Sequence, residues 1–255
     1  MKYNTILITK EEGYAILTLN RPDEMNALSS KMRRELLHCF SRLDKDDSVK
    51  AVILTGGDNV FSAGIDLNEV SILECDEFEN YMRIMVKNLQ EIYTFRKPVV
   101  AAVSGIALGG GFNLVTVCDM VIASETAIFG HPELKLGLNP LFDPLRRIVG
   151  TAKAKEITML GEPIGAREAL RIGLVNKVSP PERFMEHAMS VAGEISLRPA
   201  RAVEAVKRIS DIVPRLDKAT ALEYEFEITA LLFSRAEIKE HIKLLFDKLK
   251  SRKKV

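Results

Sequence analysis

Three consecutive glycines, Gly109-Gly110-Gly111, set between an apolar β-like run, Pro98-Val99-Val100-Ala101-Ala102-Val103, and an apolar helix-like run from Phe112 to Cys118, constrain this chain more than any other feature. Without a Cβ the backbone can take positive φ and lie directly against a ligand. A helix opening at such a corner turns its first N–H groups, and the positive end of its dipole, outward. The corner therefore suits a negative charge developing on a bound molecule. A second such corner stands upstream, where Ala51-Val52-Ile53-Leu54-Thr55-Gly56 reads as a buried strand and Phe61-Ser62-Ala63-Gly64-Ile65-Asp66-Leu67 turns into helical spacing. Two N–H donors can then converge on one oxygen, each worth about 2.7–4 kcal/mol where single donors have been removed from enzymes.

The flanking sequence alternates strands with helices. Ile6-Leu7-Ile8 and Tyr14 to Leu19 predict a hairpin turning at Glu11-Glu12-Gly13, after which Ser29 or Ser30 caps a helix with Met32, Leu36, Leu37, Phe40 and Leu43 on one face. Tyr81 to Tyr93 predicts an amphipathic helix, and Met120 to Ala123 another strand. From about Pro199 strand signals cease: Ala200 to Ile212 and Leu222 to Lys250 have helical spacing. We expect two regions, residues 1–198 and a helical appendage over 199–255.

Bulk properties exclude several classes of function. The formal net charge is +1, from 36 basic and 35 acidic residues, so nothing in the overall field favours nucleic acid or an anionic membrane. Three cysteines, Cys39, Cys75 and Cys118, form no close pair, which argues against a disulfide framework or a thiolate zinc site. His38, His187 and His241 are scattered without ligand spacing, so no metal is expected, and His131, two residues before Glu133, is either a packed or surface histidine or a group acting on Glu133 or a bound substrate. The N-terminus lacks the apolar core of a secretory signal, and no apolar run reaches the roughly 18 residues of a membrane span. The expected compartment is the cytoplasm.

Several segments, in order, carry a family resemblance: Asn20-Arg21-Pro22 with Asn26-Ala27-Leu28, Phe61 through Asp66, Gly105 through Gly111, Phe129-Gly130-His131-Pro132-Glu133, and Ala166-Arg167-Glu168-Ala169 with Gly173-Leu174-Val175. Together they resemble the crotonase, or enoyl-CoA hydratase/isomerase, superfamily over nearly the whole chain. The resemblance implies an α/β fold, a spiral of repeated β/β/α units with a C-terminal helical trimerisation region. It also implies an acyl-CoA substrate, coenzyme A entering as part of that substrate with no separate cofactor, and a homotrimer or a hexamer made of two trimers.

Taken alone, Pro132-Glu133 is an ordinary helix opening with an acid in its first turn. The resemblance instead makes Glu133 the acid/base beside a thioester whose oxygen is held by the N–H groups of Ile65 and Gly110. Hydratases of the family carry a second glutamate where this chain has Asn113, and an amide can hold a water but cannot transfer a proton. Asn113 therefore counts against two-carboxylate hydration and raises 3,2-enoyl-CoA isomerisation, which needs one shuttle. Asp143, in the bulky segment Leu138-Asn139-Pro140-Leu141-Phe142-Asp143-Pro144, either supplies the missing carboxylate or is a turn residue facing solvent. That bulky loop also resembles alicyclic dienoyl-CoA hydratases.

For the CoA moiety the resemblance implies Asn26, Ala27, Leu28, Ala63, Asp66 and Leu67 along the adenine and pantetheine path, with Phe246 and Lys248 contributed by a neighbouring subunit. Asp66 also reads as a helix-opening acid. Two other classes remain in view. Ser104, His131 and Asp119 supply the residue types of a hydrolase triad without a G-x-S-x-G elbow, and a non-catalytic crotonase-like binding module, including one for RNA, would keep the fold alone.

Overall fold

Unbroken apolar runs mark strands covered on both faces, and here they form the centre of a six-stranded sheet. The computed structural model describes residues 3–252, with the backbone alone at Glu237, Leu245, Lys248, Leu249, Ser251 and Arg252. Its strands are β1 (Ile6–Glu11), β2 (Tyr14–Leu19), β3 (Ala51–Thr55), β4 (Val99–Val103), β5 (Ile106–Leu108), β6 (Met120–Ser124), β7 (Ile128–Gly130), β8 (Ile164–Gly165) and β9 (Lys177–Ser179). The larger sheet has the order β1-β2-β3-β4-β6-β9, antiparallel in the β1/β2 hairpin and parallel elsewhere; β5, β7 and β8 make a smaller sheet.

The helices of the first region are α1 (Ser30–Asp44), α2 (Leu67–Val70), α3 (Cys75–Tyr93), α4 (Gly110–Thr116), α5 (Asp143–Val149), α6 (Thr151–Leu160), α7 (Ala166–Arg171) and α8 (Phe184–Ser196). Two layers cover the large sheet. Val52, Leu54, Val99, Ala101, Val103, Val121 and Ala123 face a core shared with Met32, Leu36, Phe40 and Leu43 of α1. Their alternates, Ala51, Ile53, Val100, Ala102 and Ile122, face Phe184, Ala188 and Ala192, one stripe of α8.

Capping decides where helices begin. Ser29 caps α1, its hydroxyl accepting the Met32 N–H. Helix α3 begins at Cys75, six residues before the expected Tyr81, because the Glu77 carboxylate accepts the Glu74 N–H at 3.0 Å and closes the first turn. Helix α4 opens at Gly110 rather than Phe112. Arg33, fully buried, ties α1 to α3: its guanidinium lies 3.5 Å over the Tyr81 ring and donates to the Tyr81 carbonyl at 2.8 Å.

The spiral repeats strand, short strand, helix, with the short strands stitched together by backbone bonds. The Phe61 and Ser62 N–H groups donate to Ile106 O, Leu108 N–H to Ser62 O, and Gly109 N–H to Gly130 O. Three successive turns of chain therefore end side by side, one at Gly64-Ile65, one at Gly109-Gly110 and one at His131-Glu133.

A second compact unit begins at Leu197 and contains α9 (Ala200–Ile212), α10 (Lys218–Phe233) and α11 (Ala236–Arg252). Asp217 caps α10 through the Ala219 and Thr220 N–H groups. Among the described residues no helix is long and apolar enough to cross a membrane.

Candidate active site

A cavity of about 630 Å³ opens where those three turns meet, lined by Ala63, Ile65, Gly109, Gly110, Asn113 and Glu133 among others. The Gly64 carbonyl accepts the Leu28 N–H at 2.7 Å. Across a trans peptide the Ile65 N–H must then point the other way. The Gly109 carbonyl likewise accepts the Asn113 N–H inside α4, which turns the Gly110 N–H out of the helix start. Neither N–H donates to a partner among the described residues. They lie close together: a Cβ on Gly110 would stand 3.5 Å from Ile65 N, and one on Gly64 would stand 2.9 Å from Gly110 N.

Glu133 follows β7 on a short 3₁₀ turn, Pro132–Leu136. Its carboxylate reaches back over Gly109, where a Cβ would be only 3.3 Å from Glu133 Oε1, and Gly109 itself has φ of +52°. Oε1 lies 3.3 Å from His131 Nδ1. Glu133 Oε2 is buried and has no hydrogen-bond partner among the described residues, and the same holds for Asn113 Oδ1 and His131 Nε2. Buried polar atoms left without partners are uncommon in folded proteins; two of these, on Glu133 and Asn113, belong to residues that line the cavity and mark a place built to meet a polar ligand.

The other sequence candidates divide between the cavity wall and its support. Ala27, Ala63, Asp66 and Leu67 line the cavity; Asn26 and Leu28 do not. Asn26 stands behind the wall as a clamp, its Oδ1 accepting the Arg21 N–H at 2.8 Å and its Nδ2 donating to the Gly56 and Val60 carbonyls at 3.0 and 2.9 Å. Asp66 caps α2 and pairs with Arg21 at 2.7 Å, so its carboxylate is already engaged. Asp143 does not line the cavity: it opens α5, held by Arg146 and, at 2.7 Å, by Arg147, and the two guanidinium groups hold its carboxyl below the usual range. The second-carboxylate option for Asp143 fails on that geometry. Phe246 lies on α11 of the second unit, and the Lys248 side chain falls outside the described residues.

No triad forms from Ser104, His131 and Asp119. Ser104 Oγ donates to Asp58 O, Asp119 accepts the Val99 N–H, and His131 sits against Glu133. Among the described residues no three His, Cys, Asp or Glu side chains come together as a metal site would require.

Sequence spacing missed one wall of the cavity. Phe78, Met82, Met85 and Val86 of α3 line it together with Leu136, Leu138 and Leu141. The signal was present in the width of the apolar stripe: Tyr81, Met85, Leu89 and Ile92 already fill the core side of α3, leaving Phe78, Met82 and Val86, at intervals of four, as a second apolar row.

Residues 9–253 match the protein family described as enoyl-CoA hydratase/isomerase. The short-chain-enoyl-CoA hydratase of Clostridium acetobutylicum is 37% identical over 254 residues, covering 98% of this chain and 97% of the relative. The crotonyl-CoA hydratase of Syntrophomonas wolfei is 36% identical over 255 residues, covering 98% of each. The crystal structure of an enoyl-CoA hydratase from Bacillus anthracis superposes with a TM-score of 0.93 at 29% identity, covering 96% of this chain and 97% of that one. With the spiral of β/β/α turns and the cavity at their meeting point, these likenesses show that the chain belongs to the crotonase, or enoyl-CoA hydratase/isomerase, family.

Proposed function

We propose that the chain acts on an enoyl-CoA thioester through an enolate, with Glu133 as the one acid/base and the Ile65 and Gly110 N–H groups as the oxyanion donors. The observation that carries this reading is the buried, unpartnered Glu133 Oε2 at the same corner as two unpaired N–H groups. Such N–H groups lower the barrier because charge on the thioester oxygen is greater in the enolate than in the substrate.

The residue set favours movement of a double bond. Glu133 Oε2 takes a proton from C2 of a 3-enoyl thioester; the C–H electron pair forms a C1=C2 bond as the carbonyl π pair moves onto the thioester oxygen, giving a dienolate in which C3=C4 is still in place. Protonation at C4 then restores the carbonyl and shifts the C1=C2 pair to C2=C3, giving the 2-enoyl product and regenerating the carboxylate. One carboxylate suffices for both transfers. Hydration is the second reading, favoured by the names of the two hydratases above and by the unpartnered Asn113 Oδ1, which can accept a hydrogen bond from a water. The apolar rows from α3 and from Leu136, Leu138 and Leu141 would take the acyl chain, and coenzyme A enters with the substrate, passing Ala63 and Leu67.

Proton NMR in deuterated water, with a 2-enoyl-CoA and separately its 3-enoyl isomer, tests the assignment. The expected result is interconversion of the two with deuterium entering at carbon. Accumulation of a hydroxyacyl product would replace isomerisation by hydration, and inertness of both esters would end the straight-chain reading and direct the assay to ring-bearing acyl-CoA esters.

The assembly we propose is a trimer or a pair of trimers. Its support is the second unit, where Phe226 of α10 is 73% exposed and Phe233 and Phe246 are 57% and 56% exposed in the single chain; such surface favours association. Light scattering on the purified protein is expected to give three or six times the chain mass of 28.5 kDa, and a monomer at micromolar concentration would end the proposal.

A further inference from the structure

Among the described residues, His131 is the one titratable side chain paired with Glu133 that the reaction above does not use, and it is completely buried. Its ring packs 4.7 Å from the ring of Phe112, which in turn contacts Phe129 at 5.8 Å. The backbone fixes it as well, because His131 lies between the end of β7 and Pro132, and proline restricts the residue before it. Nδ1 faces Glu133 Oε1 at 3.3 Å, while Nε2 meets no hydrogen-bond partner among the described residues.

Those contacts select one form of the ring. An Nε2–H tautomer would bury an unmet donor and point the Nδ1 lone pair at a carboxylate oxygen. An imidazolium would also leave Nε2–H unmet inside an apolar packet, and would bury a charge. The Nδ1–H tautomer instead donates to the carboxylate and leaves only a bare acceptor at Nε2.

We infer that His131 is a positioning residue for Glu133: as a neutral Nδ1–H imidazole it ties up Oε1, fixing the carboxylate so that Oε2 alone faces the substrate carbon. The inference rests on the proposed role of Glu133 and adds which oxygen reacts and what holds it. Rotation of the carboxylate would otherwise exchange the two oxygens and swing the base away from C2. A displacement of about 1 Å at a reacting group can cost about 100-fold in rate, so the contact bears on turnover, and CoA binding, which we propose passes Ala63 and Leu67, is expected to be unchanged.

Exchange of the C2 protons of a saturated acyl-CoA, butyryl-CoA, into deuterated water reads the base and the oxyanion donors whichever overall reaction the enzyme performs. His131→Phe keeps a ring against Phe112 and removes the donor; His131→Gln keeps an N–H donor of similar reach. The expected result is a kcat for exchange lowered about 10- to 100-fold in His131→Phe, with KM within about threefold of the parent, and recovery to within about threefold in His131→Gln. Side-chain ¹⁵N NMR of the unmodified protein should show His131 protonated at Nδ1 and bare at Nε2. An unchanged kcat in His131→Phe, an equal loss in both variants, a change confined to KM, or an Nε2–H or doubly protonated ring overturns the inference. Should His131→Phe fail to fold, the glutamine variant and the NMR measurement decide it. Glu133→Gln is run in parallel: lost exchange there with none lost in His131→Phe defeats this inference alone, whereas exchange retained in Glu133→Gln defeats the reading beneath it.

Discussion

Replacing Glu133 with glutamine is expected to reduce turnover of enoyl-CoA esters by about 10³- to 10⁴-fold, the upper range for removal of a general acid/base, while the dissociation constant of an unreactive acyl-CoA stays within about threefold. Glutamine is nearly isosteric, so the glycine corner and the apolar walls remain in place. What disappears is a group that accepts and returns a proton at carbon. The substitution leaves an amide at a site where the carboxylate side chain is 14% exposed and Oε2 is buried, so no bulk water stands ready to replace the base. Rapid-quench turnover and calorimetric binding on the same preparation check both halves. A variant that keeps more than about a tenth of the parent rate removes Glu133 from its assigned role.

Gly64→Ala is expected to have the next largest effect, through the backbone. Gly64 has φ of +100°, and a Cβ there would stand 2.8 Å from Leu108 O and 2.9 Å from Gly110 N. Non-glycine residues avoid such φ values, and holding one there costs about 1–3 kcal/mol. The methyl would also crowd the Gly110 N–H while the strained peptide re-aims the Ile65 N–H. We expect kcat/KM to fall about 10²- to 10³-fold, the magnitude of losing one oxyanion donor. Gly173→Ala separates the two causes: Gly173 has φ of +80° with nothing within 4 Å of its Cβ position. It should lose stability by urea denaturation with kcat/KM unchanged. Full activity in Gly64→Ala would mean that the two N–H groups do not act on the substrate oxygen.

The corner itself is legible in the sequence because glycine, proline and helix-start signals act over a few residues. Gly109-Gly110-Gly111 does open a helix, the apolar runs at Ala51 and Val99 are strands buried on both faces, and Ser29 does cap α1. The family resemblance rests on the same local segments taken in order, so the linear chain is enough to carry it. Asp66 is likewise both a cavity residue and the cap of α2, the two readings its spacing allows.

Other positions carry no local signal. Asn26 and Leu28 belong to the family segment, yet the Asn26 amide is held by Gly56 and Val60, 30 and 34 residues away in sequence. Asp143 is turned outward by two arginines of its own helix, an arrangement that spacing alone allows without requiring. Along the chain His131 is an isolated histidine, and only β7 sets it beside Phe112. Helix α3 shows one apolar face to the core, and only the cavity gives its second row a purpose.

The sequence by itself determined the first hairpin, the strands buried on both faces, the capped helix after Ser29, the glycine corners and the class of chemistry, because those follow from dihedral freedom, apolar period and charge within short stretches. The tertiary structure decided which oxygen of Glu133 is without a partner, which side chain lies against the other, and which apolar row lines the cavity. These depend on sheet register, above all the Gly109 N–H to Gly130 O bond that lays the third turn against the second. Register is a property of segments brought together by folding, and no single segment records it.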